Sequence, residues 1–302
     1  MHQHHHHNHD HSAHSHGGSH RVLIIAILLT LGFAIIEAFG GLWSGSLTLL
    51  SDAGHVASDS VGLAISAVAA WIALKPPSHK HSYGYGRAEI IAAWVSSVIM
   101  MVIALAVIVE AIRRFDHPLH IQGGPVMIIA CLGLLLNLGL AWLLSRRERT
   151  LNMRAVLIHI LSDILGTFAV LISGAVIYFT HWTLIDPILS ILIGALIIFS
   201  SFRLLRESMT VLMEGVPHHL DFKQVLHTMT QINEVKAVHD LHIWTLSSGK
   251  TALSAHVDIK DLATWDDVLL QLKSMLHKTY AIDHITLQPE IDITECEPCF
   301  KP

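Results

Sequence analysis

Two ionisable pairs stand where the sequence is otherwise apolar. His55 and Asp59, with Asp52 just ahead of them, interrupt a run that is apolar from about Leu47 to Leu74, and His159 and Asp163 interrupt another from Met153 to Thr180. Ionisable groups are costly in hydrocarbon, and those kept there mark functional sites. At 3.6 residues per turn, the i, i+4 spacing stacks each His and its Asp on one helix face. Each pair offers one nitrogen and one oxygen, and two pairs supply the four ligands of a tetrahedral zinc ion. One pair alone is explained equally well by two buried side chains hydrogen-bonded to each other. Two matched pairs in two apolar runs point to a metal ion carried through a bilayer. Asp52, one turn before His55, is read as a supporting group behind the ligands.

These residues need membrane helices to carry them, and the composition provides for that. Of 302 residues, 52% are hydrophobic and only 14% charged, which places the chain with membrane proteins. Six apolar runs, at about 22–43, 48–74, 88–112, 125–145, 153–180 and 185–206, are each long enough to cross roughly 30 Å of hydrocarbon. Asp59 and Asp163 fall about 15 Å of helix from opposite ends of their spans, so both reach a similar depth. Six spans put both termini on one side. Arg21, Lys75, Lys80, Arg87, Arg146, Arg147, Arg149, Arg154, Arg203 and Arg206 outnumber Arg113 and Arg114, so the positive-inside rule makes the termini cytoplasmic.

Other polar residues in the spans have plainer readings. Glu110 and Asp186 fall near outer ends, and Asp186 before Pro187 suits a helix cap and first position. Glu37 and Asn137 are deeper, as interhelical hydrogen-bond partners or as lining of the ion's route.

The ends differ in character. Residues 1–20 hold ten of the 25 histidines and read as a disordered metal-binding tail; an expression tag accounts for His4–His7 but not for the interspersed rest. Spans occupy 21–208, a small soluble domain 209–293, and a tail with Cys296 and Cys299 spans 294–302. In the soluble domain, helical spacing at 222–232, strands at 235–244 and 252–259, a helix at 264–276 and a strand at 285–293 give an α+β, ferredoxin-like order. Three cysteines make no secreted disulfide framework. A net charge of −5 without clustered Lys and Arg argues against nucleic-acid binding.

Six spans, a soluble α+β tail and His-x-x-x-Asp in the second and fifth spans resemble the cation diffusion facilitator family, especially its bacterial zinc efflux branch. The likeness runs from about residue 21 to 293. It is carried by Gly45-Ser46-Leu47-Thr48-Leu49-Leu50-Ser51-Asp52-Ala53-Gly54-His55, by His81-Ser82-Tyr83-Gly84-Tyr85-Gly86-Arg87-Ala88-Glu89, by Leu151-Asn152-Met153-Arg154, and by Asp186-Pro187-Ile188-Leu189-Ser190.

The resemblance implies a homodimer in the cell membrane, the inner one in a Gram-negative source, that exports zinc in exchange for protons. It makes His55, Asp59, His159 and Asp163 the transport site. His at 55, where some relatives have Asp, fits zinc better than manganese or magnesium, with cadmium as a second cargo. His239 and His256 match metal-binding positions of the soluble domain, although Leu287 and Pro289 stand where a relative has His and Asp. The thiolates of Cys296 and Cys299 could replace those lost ligands. Zinc is thus expected both as cargo and as a structural or regulatory ligand. A loop site has only His81 in place, with Tyr85 and Ser78 at its other positions and His79 as a substitute. The alternatives are an exporter of cobalt, nickel or iron, and a membrane metal sensor that does not transport. No general base or hydrolytic motif accompanies the four ligands, so an enzyme is not expected.

Overall fold

The computed structural model describes the backbone of residues 16–145, 151–247 and 249–291, with side chains over 28–143, 160–247 and 249–291. The first fifteen residues of the His-rich tail, the basic loop 146–150, and Cys296 and Cys299 lie outside the described residues. So does the side chain of His159, whose backbone is helical.

Six helices occupy the apolar runs: α1 His16–Ser44, α2 Leu47–Ala73, α3 Arg87–Asp116, α4 Gly123–Ser145, α5 Leu151–Thr180 and α6 Ile185–Leu212. Among the described residues, α2 to α6 are each long and apolar enough to cross a membrane, and the described apolar part of α1 is Leu28–Ser44. Phe39, Trp43, Phe179 and Phe199 are exposed on these helices, as side chains meant for lipid are. The chain is a multi-pass membrane protein.

Two boundaries differ from the apolar runs. The first helix begins at His16, inside the segment assigned to the tail, because extending a formed helix adds one hydrogen bond per residue fixed. The sixth continues to Leu212, past the expected domain boundary at 208, where an Arg203 Nε to Glu207 Oε1 pair at 3.1 Å supports a turn that is no longer apolar.

The soluble domain follows as α7 Phe222–Thr230, β1 Val235–Ser247, β2 Lys250–Ile259, a short 3₁₀ turn, α8 Trp265–Tyr280 and β3 Ile282–Glu290. β1 and β2 pair antiparallel, and α8 returns the chain so that β3 pairs parallel to β2. The order α–β–β–α–β is that of a ferredoxin-like domain without its first strand. Val225 and Met229 of α7 and Val268, Leu272 and Leu276 of α8 pack on Ile243, Leu253, Val257 and Ile259 of the sheet. This leaves the other sheet face to polar residues.

The chain divides into two compact units, Met1–Ser60 with Ile103–Ala195, and Val61–Val102 with Leu196–Pro302. Within the first, Asp186 is fully buried and accepts from Ser46 Oγ at 2.6 Å, Thr48 Oγ1 at 2.6 Å, Leu47 N at 2.7 Å and Ser173 Oγ at 3.2 Å. Arg114 Nη1 lies 3.8 Å from the same carboxylate and donates to Gly45 O at 2.6 Å. The sequence reading of Asp186 as an interfacial residue or as the cap of its own helix is therefore corrected: it caps α2. Only a tertiary contact between α6 and the start of α2 supplies that role. The turn before it needs Gly45, whose φ is +75° and where a Cβ would sit 3.0 Å from His120 O. Within the second unit, Arg87 Nη2 meets Glu214 Oε1 at 2.8 Å.

Candidate metal centres

Helices α2 and α5 bring three of the four expected transport ligands together. His55 Nε2 lies 3.9 Å from Asp59 Oδ2 and 3.9 Å from Asp163 Oδ1, and the ligand atoms of the three residues all fall within 4.8 Å of one another. The Asp59 contact is the i, i+4 stack on α2, and the Asp163 contact crosses to α5. Separations of 3.9 Å are too long for hydrogen bonds. Zinc bonds of about 2.0–2.2 Å arranged tetrahedrally put ligand atoms roughly 3.3–3.6 Å apart, so a few tenths of an ångström of inward movement closes the set. His55 Nδ1 is buried with no hydrogen-bond partner among the described residues.

Asp52 sits behind these ligands, 1% exposed. Its Oδ2 accepts from Thr167 Oγ1 at 3.0 Å. Thr167 also lies 3.0 Å from the backbone carbonyl of Asp163, and it accepts from Asn137 Nδ2 at 3.3 Å. Asn137 is thus an interhelical partner, joining α4 to α5. Glu37 of α1 is buried within electrostatic reach of both Asp52 and Asp163. Glu110 is partly exposed and pairs with Arg114 at 3.4 Å, in keeping with an interfacial place.

A second cluster lies on the open face of the sheet. His239 and His256 are directly paired across β1 and β2, with ring centroids 5.2 Å apart. Glu290, at the end of β3, reaches His256 Nδ1 at 2.7 Å and His239 Nε2 at 3.1 Å. Neither contact has hydrogen-bond geometry, and His239 Nε2, His256 Nδ1 and Glu290 Oε2 are buried without another partner. Lone pairs that converge in this way suit a cation. The two histidines were legible in the sequence and Glu290 was not. Its only signal is the polar alternation Thr286, Gln288, Glu290 along a strand, and its place beside the histidines depends on the parallel pairing of β3 with β2. A cavity of about 200 Å³ adjoins His256, lined also by Asp240 and His242.

The loop reading gains no such cluster. His81 packs on Tyr85 with centroids 4.6 Å apart, and neither His79 nor His81 belongs to either of the two ligand clusters found among the described residues. His284 meets Tyr83 edge-on at 5.8 Å.

Comparison with known proteins follows the same division of the chain. Residues 23–213 match the model of the cation efflux transmembrane domain, and residues 217–292 match that of the cation efflux protein cytoplasmic domain. The chain is 36% identical to a protein of Bacillus velezensis named cadmium, cobalt and zinc/H(+)-K(+) antiporter, over 91% of this chain and 89% of that one. It is 37% identical to the zinc transporter ZitB of Escherichia coli and 37% identical to the metal cation efflux system protein CzcD of Cupriavidus metallidurans, in each case over 93% of this chain and 89% of the relative. A solved structure of the metal-bound C-terminal domain of the CzcD transporter is 41% identical, covering 24% of this chain and 99% of that one with a TM-score of 0.22.

Proposed function

Because this chain belongs to the cation diffusion facilitator family and is a secondary active transporter of divalent metal rather than an enzyme, we propose that it expels zinc from the cytoplasm in exchange for protons. The observation that carries this reading is the convergence of His55, Asp59 and Asp163 within 4.8 Å on two membrane helices. His159, one turn before Asp163 on α5, completes a two-nitrogen, two-oxygen set, which fits zinc. The names of the B. velezensis and E. coli relatives include zinc. Cadmium is a second cargo by the same ligand chemistry, and the B. velezensis name includes it as well.

In this mechanism cytoplasmic zinc enters between α2 and α5 and takes the lone pairs of His55, His159, Asp59 and Asp163. Metal and proton compete for those lone pairs, so loading zinc releases protons. Rocking of the helices turns the loaded site outward, and protons entering there displace the metal and reset the carrier. The termini are cytoplasmic, so the His239, His256 and Glu290 cluster samples cytoplasmic zinc, with Cys296 and Cys299 as additional ligands. The soluble domain pairs two copies into a homodimer.

A sensor that does not transport has no use for ligands shared between two membrane helices. The test is zinc flux into inverted membrane vesicles. The Asp59→Ala protein, present in the membrane at the normal level, is expected to lose flux, and undiminished flux would remove Asp59 from the site.

A further inference from the structure

We propose that Thr167, held between Asp52 and Asn137, is a positioning residue that fixes the spacing of α2 against α5 and so sets the preference of the transport site for zinc over larger ions such as cadmium. The inference rests on the reading that His55, Asp59 and Asp163 carry the metal.

The geometry places this link beside the ligands. Asp52 is one turn before His55 on α2, and Thr167 is one turn after Asp163 on α5. The bond from Thr167 Oγ1 to Asp52 Oδ2 at 3.0 Å therefore joins the two helices one turn away from the His55 to Asp163 approach of 3.9 Å. Thr167 has one hydroxyl proton, shared between the Asp52 carboxylate and the Asp163 carbonyl, so the same atom touches both helices at the ligand turn. Asn137 fills the acceptor side of that hydroxyl. Asp52 and Thr167 are 1% and 2% exposed, so water does not stand in for a lost partner.

Gly166 makes the approach possible. A Cβ there would lie 2.8 Å from Asp52 Oδ1, closer than real contacts allow, so any side chain displaces the Asp52 carboxylate from its place against Thr167 or pushes α2 away from α5. The His55 to carboxylate distances already stand slightly wider than the roughly 3.3–3.6 Å edge of a tetrahedral zinc site. Further widening penalises zinc most, whereas an ion with longer bonds tolerates it.

The experiment measures KM and kcat for zinc and for cadmium in proteoliposomes of the full chain. Thr167→Val, which keeps the shape and removes the hydroxyl, is expected to raise the KM for zinc about tenfold, with much less effect on cadmium and little on kcat. Thr167→Ser retains the hydroxyl and restores the wild-type ratio. Gly166→Ala retains every hydrogen-bonding group and is expected to shift the ratio in the same direction, which keeps the test decisive where Thr167→Val folds poorly. A zinc-to-cadmium ratio unchanged in folded Thr167→Val or in Gly166→Ala, or a Ser variant that behaves as Val does, overturns the inference. Asp163→Ala run alongside separates the two readings. Flux surviving in Asp163→Ala removes the site itself, whereas flux lost there with an unchanged ratio in the Thr167 variants removes only the positioning role.

Discussion

His55 shows how much chemistry one position can carry. Its Nε2 faces two carboxylates from different helices, and its nitrogen makes the site borderline-soft where a carboxylate would make it hard. Replacing His55 with Asp is expected to broaden the accepted metals toward manganese, read as uptake across a panel of divalent ions; an unchanged metal profile would count against the assignment. The i, i+4 spacing of His55 and Asp59 made this half of the site readable, because helical periodicity alone places both on one face. Glu290 was not readable, since nothing local joins it to His239 and His256. That contact needs β3 to return beside β2. Glu290→Gln keeps the size and removes the charge, and it is expected to weaken zinc binding by the soluble domain about 10–100-fold. Zinc titration of the full-length protein measures this, and an unaltered isotherm would leave the cluster as a hydrogen-bonding device only.

At the scale of elements, the membrane helices followed from runs of apolar sequence, and their ends did not. Hydropathy marks where lipid stops, while α6 continues to Leu212 on helix hydrogen bonds and the Arg203–Glu207 pair. Asp186 is the clearest case of a tertiary contact overriding a local motif. Asp followed by Pro reads as a cap of the helix it opens, yet the carboxylate is spent on Ser46, Leu47 and Thr48 at the start of α2. Those buried donors have no other carboxylate among the described contacts, and Arg114, which also pairs with Glu110 at 3.4 Å, lies beside them. Asp186→Ala is therefore expected to cost about 3 kcal/mol or more, seen as a large fall in the thermal unfolding temperature in detergent. A fall no greater than that of a surface substitution would mean the α2 cap does not depend on Asp186. The soluble domain was easier, because alternating strands and an amphipathic α8 point to one packed face whatever the pairing. The mixed direction of its sheet was left open by the pattern and is set by the α8 crossover between β2 and β3.

Across the whole molecule, the proposed function gives the membrane spans and the soluble α+β domain one cargo at two sites of different character. One lies in lipid-spanning helices and the other on the polar face of the sheet, where zinc would bind without crossing the membrane. In the proposed exchange, proton competition for the transport ligands would tie direction to the pH gradient: acidifying the side where zinc loads should slow uptake, and acidifying the side where it is released should speed it. The central claim is that His55, Asp59 and Asp163, with His159, carry zinc in exchange for protons. Its most direct test records zinc and proton movement together in proteoliposomes, using wild type beside Asp163→Ala. Opposed, proportional fluxes in wild type, both abolished in Asp163→Ala, are the predicted result. Zinc movement without counter-moving protons, or coupled exchange that survives in Asp163→Ala, would contradict the account.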